Sequence, residues 1–482
     1  MKLKSYLELD PSKRAQWCYV ADARFSNHTL KAPKVDTESI VNPFLQTWKV
    51  KKSVLNAGLK DMLTVAKKFG VKFAAMTPSK ELLMELPMWH HFGEDPSKRH
   101  VNNSKSCRCL RQNHGAINME DAVKISARLT SPSHGEKATC NCLACADDRT
   151  RRGCTNPHSC AMTARTKLDK LLPRWDPRKA TCTEDSDSDS ESEEEDENKI
   201  TFPRPLPTTK VSDGFRIFTN TPTMSANANP APRRRGLEAR VHASFAGSVT
   251  RKNSEIKSVG AGVWLSTGSE LNISLKLSEE SAPTRQSAET IAALAKIQTT
   301  HRGTEVELES ERGFVAKAMT KHLRRWEDTG WIGVVNPSPL KALASELNQR
   351  TGKTTFIISE DSPGPDAALL LSKAGEVKEE IDEVYMKIRP RNALPGAKLS
   401  KLTQSLAYKG IKQMRAPISR KATDENILLV QAAILANFRY QPTPSAIWKK
   451  ARQREILPNI RNFLWKSIHN AHRIGKYWNH IP

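Results

Sequence analysis

Gln286-Ser287-Ala288-Glu289 opens a helix, and the segments on either side of it decide the fold. Before it stand three strand signals. Val241, Ala243 and Phe245 alternate, Ala261-Gly262-Val263-Trp264-Leu265 runs apolar, and Leu271, Ile273, Leu275 and Leu277 alternate again. The helix carries Ile291, Leu294, Ala295 and Gln298 at helical spacing, with Glu289 in its first turn. A short strand (Val306, Leu308) follows, then a helix around Phe314, Val315, Ala318 and Met319, and a second with Leu340, Leu343, Ala344 and Leu347. A strand at Thr354–Ile358 and a helix over Ala367–Ala374 end the run. Three strands in succession imply antiparallel hairpins, and the later alternation implies parallel crossovers. The order predicts an α/β fold: a mixed five-stranded sheet flanked by helices.

Four local words carry a resemblance. Gly260-Ala261-Gly262-Val263-Trp264, Gln286–Glu289, Leu308-Glu309-Ser310-Glu311-Arg312-Gly313-Phe314-Val315 and Trp326-Glu327-Asp328-Thr329-Gly330-Trp331-Ile332-Gly333 resemble the ribonuclease H domain of fungal (basidiomycete-type) non-LTR retrotransposon proteins, over roughly residues 240–375. Asn42–Trp48, Leu406–Ile411 and Phe463–Gly475 resemble other stretches of the same proteins. The resemblance implies a ribonuclease H-like fold. It also implies hydrolysis of the RNA strand of an RNA–DNA hybrid by two Mg²⁺ ions, which clamp the attacking and leaving oxygens. Mg²⁺ demands carboxylate oxygens in tight octahedral geometry, and the family supplies four acids.

By that resemblance the metal-binding catalytic acids here are Glu289 on the first helix and Glu311, which replaces an Asp with an arm one methylene longer. The first Asp falls at Ser244 and the last at Leu369, so both positions are degenerate, and the loop Ile357-Ile358-Ser359-Glu360-Asp361 lacks a His. Asp361 and Asp366 are the neighbouring acids available as substitutes. A misplacement of about 1 Å costs roughly 10²-fold in rate, and loss of two ligands costs far more. The expectation is a retroelement-derived nucleic-acid-binding protein whose ribonuclease H-like domain keeps its fold and has lost catalysis. An active Mg²⁺-dependent hybrid ribonuclease and a decayed transposon fragment without specific activity are the alternatives.

Charge points the same way. The 482 residues carry a formal net charge of +24; Thr183–Asn198 alone holds ten acids and no Lys or Arg, so the remainder carries +34. A densely negative partner is the simplest reading, and nucleic acid, as an RNA–DNA hybrid or a duplex, is the leading one. No run of 18 apolar residues exists, so no membrane partner is expected. Met1–Ser5 has no apolar signal core. The expected location is intracellular, with the nucleus preferred to the cytoplasm; Arg233-Arg234-Arg235 is one import-like cluster.

Seven of the nine cysteines lie between residues 107 and 160. Cys-x₂-Cys is the usual first half of a tetrahedral Zn²⁺ site. The preferred Zn²⁺ set is Cys142, Cys145, Cys154 and Cys160, with His158 or Cys140 able to replace one member. Free thiols in a loop are the alternative.

The chain divides by composition. Residues 1–100 form an N-terminal, partly helical region with little stable structure expected before residue 40, and residues 101–175 the Cys/His-rich module. Residues 176–236 form a disordered acidic and Pro-rich linker, in which Ser186, Ser188, Ser190 and Ser192 sit in a context suited to acidophilic kinases. Residues 237–376 form the ribonuclease H-like domain, 377–398 a second linker, and 399–482 a small helical region with His469, His472 and His480 assigned to packing or phosphate contacts.

Overall fold

A computed structural model describes residues 2–30, 39, 41–75, 77–99, 101–179, 198–203, 207–219, 240–252, 255–386, 388, 394–414 and 420–472. The acidic run, its serines, Arg233–Arg235 and His480 lie outside the described residues. Among the described residues there are nine strands in chain order: β1 Lys72–Phe73, β2 Lys199–Thr201, β3 Phe215–Ile217, β4 Arg240–Lys252, β5 Glu255–Trp264, β6 Ile273–Lys276, β7 Glu305–Ser310, β8 Thr354–Ile358 and β9 Ala397–Lys398.

The mixed sheet has the order β2-β8-β7-β4-β5-β6. β4 pairs antiparallel with β5, and β5 with β6, as the hairpin reading requires. β4 pairs parallel with β7, and β7 with β8. Alternation along β4 sorts the two faces. Ala243 and Phe245 join a core with Val263, Ile291, Leu294, Leu308, Leu343 and Phe356, built largely by the Arg285–Thr299 and Pro337–Leu347 helices. The Pro363–Glu376 helix takes the opposite face. A Cβ on Gly262 would meet the carbonyl of Ala368 at 2.1 Å, so only glycine admits that helix so close to β5.

The sheet has one strand more than the sequence predicts. β2 comes from the stretch expected to be a disordered linker and adds antiparallel to β8, and Phe202 behind it enters the core at 4% exposure. Three residues are too few to show a period. β3 rises from the same stretch and sits between β1 and β9 in a three-stranded sheet. Its core gathers Tyr6, Phe25, Leu82, Leu83, Trp175 and Phe215, so residues 2–30 also contribute structure: helices Lys2–Tyr6 and Gln16–Asn27 pack there.

The buried Arg216 of β3 donates to the carbonyls of Pro395, Gly396 and Glu327, tying the small sheet to the end of the Leu323–Asp328 helix. The Trp326–Trp331 run makes that junction. Gly330 lies in the left-handed region (φ +67), and a Cβ there would meet the nitrogen of Ala397 in β9 at 2.6 Å.

The chain separates into two compact units, Met1–Gly410 and Ile411–Pro482. Leu399 and Leu402, at the start of the expected C-terminal helical region, are buried in the small-sheet core of the first unit. The second unit packs helices Lys421–Phe438, Pro444–Ala451 and Pro458–Ile468 around Ile427, Ile447 and Ile468. His469 there stacks on Trp448 with ring centroids 5.1 Å apart and shares a hydrogen bond with Thr423. Among the described residues, no helix is long and apolar enough to cross a membrane.

Candidate functional site

Thr284 caps the Arg285–Thr299 helix, its hydroxyl accepting from the backbone N–H of Ser287 at 3.1 Å. The helix crosses β4 at Gly247, where a Cβ would lie 2.4 Å from the nitrogen of Glu289 and 2.7 Å from the carbonyl of Arg285. That approach buries Glu289 to 5% exposure and leaves its Oε1 without a hydrogen-bond partner. Burial pushes the Glu289 carboxyl up to about 7; Arg285 and Arg312 pull it down and Glu311 pushes it up. Glu311 follows the end of β7. Its carboxylate is held by the guanidinium groups of Arg285 at 3.3 Å and Arg312 at 3.6 Å.

Ser244 does not stand beside that pair. The parallel register sets Ser244 opposite Glu309, and its hydroxyl donates to Glu309 Oε2 at 2.6 Å, with His242 Nε2 at 3.2 Å from the same oxygen. Continuing the register by two residues puts Ala246, not Ser244, abreast of Glu311. Ser244, Ala246 and Ser248 share one face of the strand, so alternation alone gives no phase along it. The usable signal was Gly247, which the helix crossing requires. Leu369 lies half-buried within the Pro363–Glu376 helix, and Asp361 and Asp366 are exposed. Among the described residues, Glu289 and Glu311 belong to no group of three side chains placed to share one ion.

The thiols behave differently. Cys109, His114, Cys154 and Cys160 form one group, and His134, Cys140, Cys142 and Cys145 another; within each, the ligand atoms all lie within 4.8 Å of one another. Both groups suit a metal such as Zn²⁺. The set expected from sequence is divided two and two, because the Leu143–Arg152 helix carries the chain away between Cys145 and Cys154. His114 and His134, absent from that set, complete the groups, while His158 stays outside as a partner of His134. Cys107 is also outside: it is buried beside Leu110 and Met119, with the Ser104 hydroxyl 3.1 Å from its sulfur.

Burial pushes the Cys109 and Cys145 thiols up to about 11, and Cys160 upward still further. Cys140 runs the other way, to about 7, because backbone N–H groups of Cys142 and Gly135 donate to its sulfur. Burial therefore disfavours the thiolates of Cys109, Cys145 and Cys160, and a bound divalent ion would invert that preference. His134 Nδ1 faces three sulfurs, and its Nε2 lies 3.0 Å from Nδ1 of His158. His114 is buried, with Asp148 Oδ1 3.5 Å from Nδ1 and neither ring nitrogen hydrogen-bonded.

Trp89 is fully buried beneath the Arg111 guanidinium at 4.7 Å, and His91 stacks on Phe92. In comparison with known proteins, no family model and no curated protein matches the chain.

Proposed function

We propose that this chain is a nucleic-acid-binding protein of retroelement origin, built on a ribonuclease H-like domain whose metal-binding carboxylates have been lost. The strand order β6-β5-β4-β7-β8, antiparallel and then parallel, supports the fold reading, as does the crossing of the Glu289 helix over Gly247. One observation carries the loss of catalysis. The β4–β7 register, continued two residues past Ser244 and Glu309, puts Ala246 abreast of Glu311, and the cations at the Glu311 carboxylate are the guanidinium groups of Arg285 and Arg312.

Mg²⁺ needs several convergent carboxylate oxygens. Glu289 is buried with a carboxyl that titrates near neutrality, and Leu369 supplies none. The residues present do not fit a two-magnesium centre, so no hydrolytic step is derived.

Binding needs only phosphate-facing charge. Lys317, Lys321, Arg324 and Arg325 are exposed along residues 314–328, the helical run that leaves from Glu311, which turns through a π segment at Ala318–His322. An RNA–DNA hybrid or double-stranded nucleic acid, recognised through backbone and shape, is the partner this distribution favours. The test is fluorescence anisotropy on a labelled 20-base-pair hybrid across a salt series. Affinity should fall linearly in log–log form, by about 0.9 log units per decade of salt for each phosphate contact. Absence of binding at low salt defeats the proposal.

A further inference from the structure

Three sulfurs converge on one nitrogen. Cys142 and Cys145 Sγ each lie 3.5 Å from His134 Nδ1, and Cys140 Sγ lies 3.6 Å away. One imidazole lone pair cannot serve three S–H donors at equal range. A tetrahedral Zn²⁺ with Zn–S near 2.3 Å and Zn–N near 2.0–2.1 Å has S···N edges of about 3.5 Å and S···S edges of about 3.8 Å. In the other group the Cys109–Cys154 and Cys154–Cys160 sulfur distances are 3.6 and 3.7 Å, again tetrahedral edges. There His114, its side chain wholly buried, has Asp148 Oδ1 3.5 Å from Nδ1 and a hydrogen bond at neither ring nitrogen.

We propose that the chain holds two structural Zn²⁺ ions, each in a closed Cys₃His site, and that the two sites share one outer shell. The ligands interleave along the chain: 109 and 114, then 134, 140, 142 and 145, then 154 and 160. Asp148, whose Oδ1 lies 3.5 Å from Nδ1 of His114 in one site, sits one turn after Cys145 of the other, on the same helix. Arg128 joins them, donating to Asp148 Oδ2 and reaching to within 3.8 Å of Cys145 Sγ. In the opposite direction, His158 meets His134 of one site and sits two residues before Cys160 of the other. Closed four-ligand sites of thiolate and imidazole leave no open position, so the ions organise the fold rather than act on a substrate. This inference rests on the thiol geometry alone and stands apart from the nucleic-acid reading.

The experiment is metal analysis of the full-length chain purified with Zn²⁺ in the medium. The expected content is two Zn²⁺ per chain, with zinc-edge X-ray absorption giving an average first shell of three sulfurs and one nitrogen. One ion per chain, no ion, or a shell of four sulfurs overturns the assignment. For the shared shell, Asp148→Asn keeps all eight ligands. Zinc release to a chromogenic chelator should then quicken about 10- to 100-fold for both ions, the usual effect of losing an outer-sphere partner. Acceleration of only one ion, or of neither, overturns the sharing.

Discussion

The Cys/His module and the carboxylate edge of the mixed sheet are opposite cases of one problem, which is how a chain gathers polar ligands. In the module, eight ligands from scattered sequence positions converge into two compact groups. At the sheet edge the scaffold is in place, with the helix crossing at Gly247 and the β4–β7 register, yet the ligands do not converge. A scaffold survives because burial of Phe245, Ile291 and Leu308 maintains it whatever the edge does. The contrast is between Cys/His groups placed to share a metal and a carboxylate pair that is not.

The largest expected effect separates the two regions. Stripping zinc with a strong chelator should abolish hydrogen-exchange protection across residues 101–175, since structural Zn²⁺ binding is worth roughly 10–16 kcal/mol of apparent folding free energy. The mixed-sheet strands should keep their protection. Simultaneous loss in β4 and β5 would break the comparison.

Next in size is Gly247→Ala. The added Cβ meets backbone on two sides, so the Arg285–Thr299 helix must shift. A destabilisation of about 1–3 kcal/mol, read as a lower urea midpoint, is expected from overpacking of this kind. Zinc content should not change.

Glu289→Gln sharpens the contrast through pH. The folded carboxyl is raised to about 7 from an ordinary 4.5, so its ionisation opposes folding. The stability associated with the neutral form is fully present below about pH 4.5 and is lost as pH rises through 7. The variant should therefore match the parent at pH 4 and exceed it at pH 8 by on the order of 2–3 kcal/mol. Equal stability at pH 8 would mean that the carboxyl is not buried as described.

The smallest effect tests binding. Lys321→Glu should lower the salt slope for hybrid binding by about 1, one phosphate contact's share, with little effect on stability.

Much of the sheet was legible because β4, β5 and the helices after it are long enough to show their periods. β2, β3 and β9 were not: each has two or three residues, and each is held by partners more than a hundred residues away, such as Phe356 opposite Ile200. The zinc sets were half legible. Cys-x₂-Cys announced Cys142 and Cys145, but spacing pairs a ligand with its neighbours in sequence, whereas the fold pairs Cys154 with Cys109. His114 and His134 lie within six residues of Cys109 and Cys140, but spacing alone did not rank them above the cysteines. The Ser244 position had no phase to rest on, because alternation along β4 supplies none and the approach of a helix to Gly247 is visible only in the fold.

The most direct measurement incubates the full-length chain with a labelled RNA–DNA hybrid in Mg²⁺ and in Mn²⁺, beside Glu289→Gln. The expected result is a bound hybrid, released by salt and left uncut in both metals by parent and variant alike. Cleavage by the parent that Glu289→Gln abolishes would contradict it, and would show that Glu289 and Glu311 assemble a working metal site without a carboxylate at Ala246.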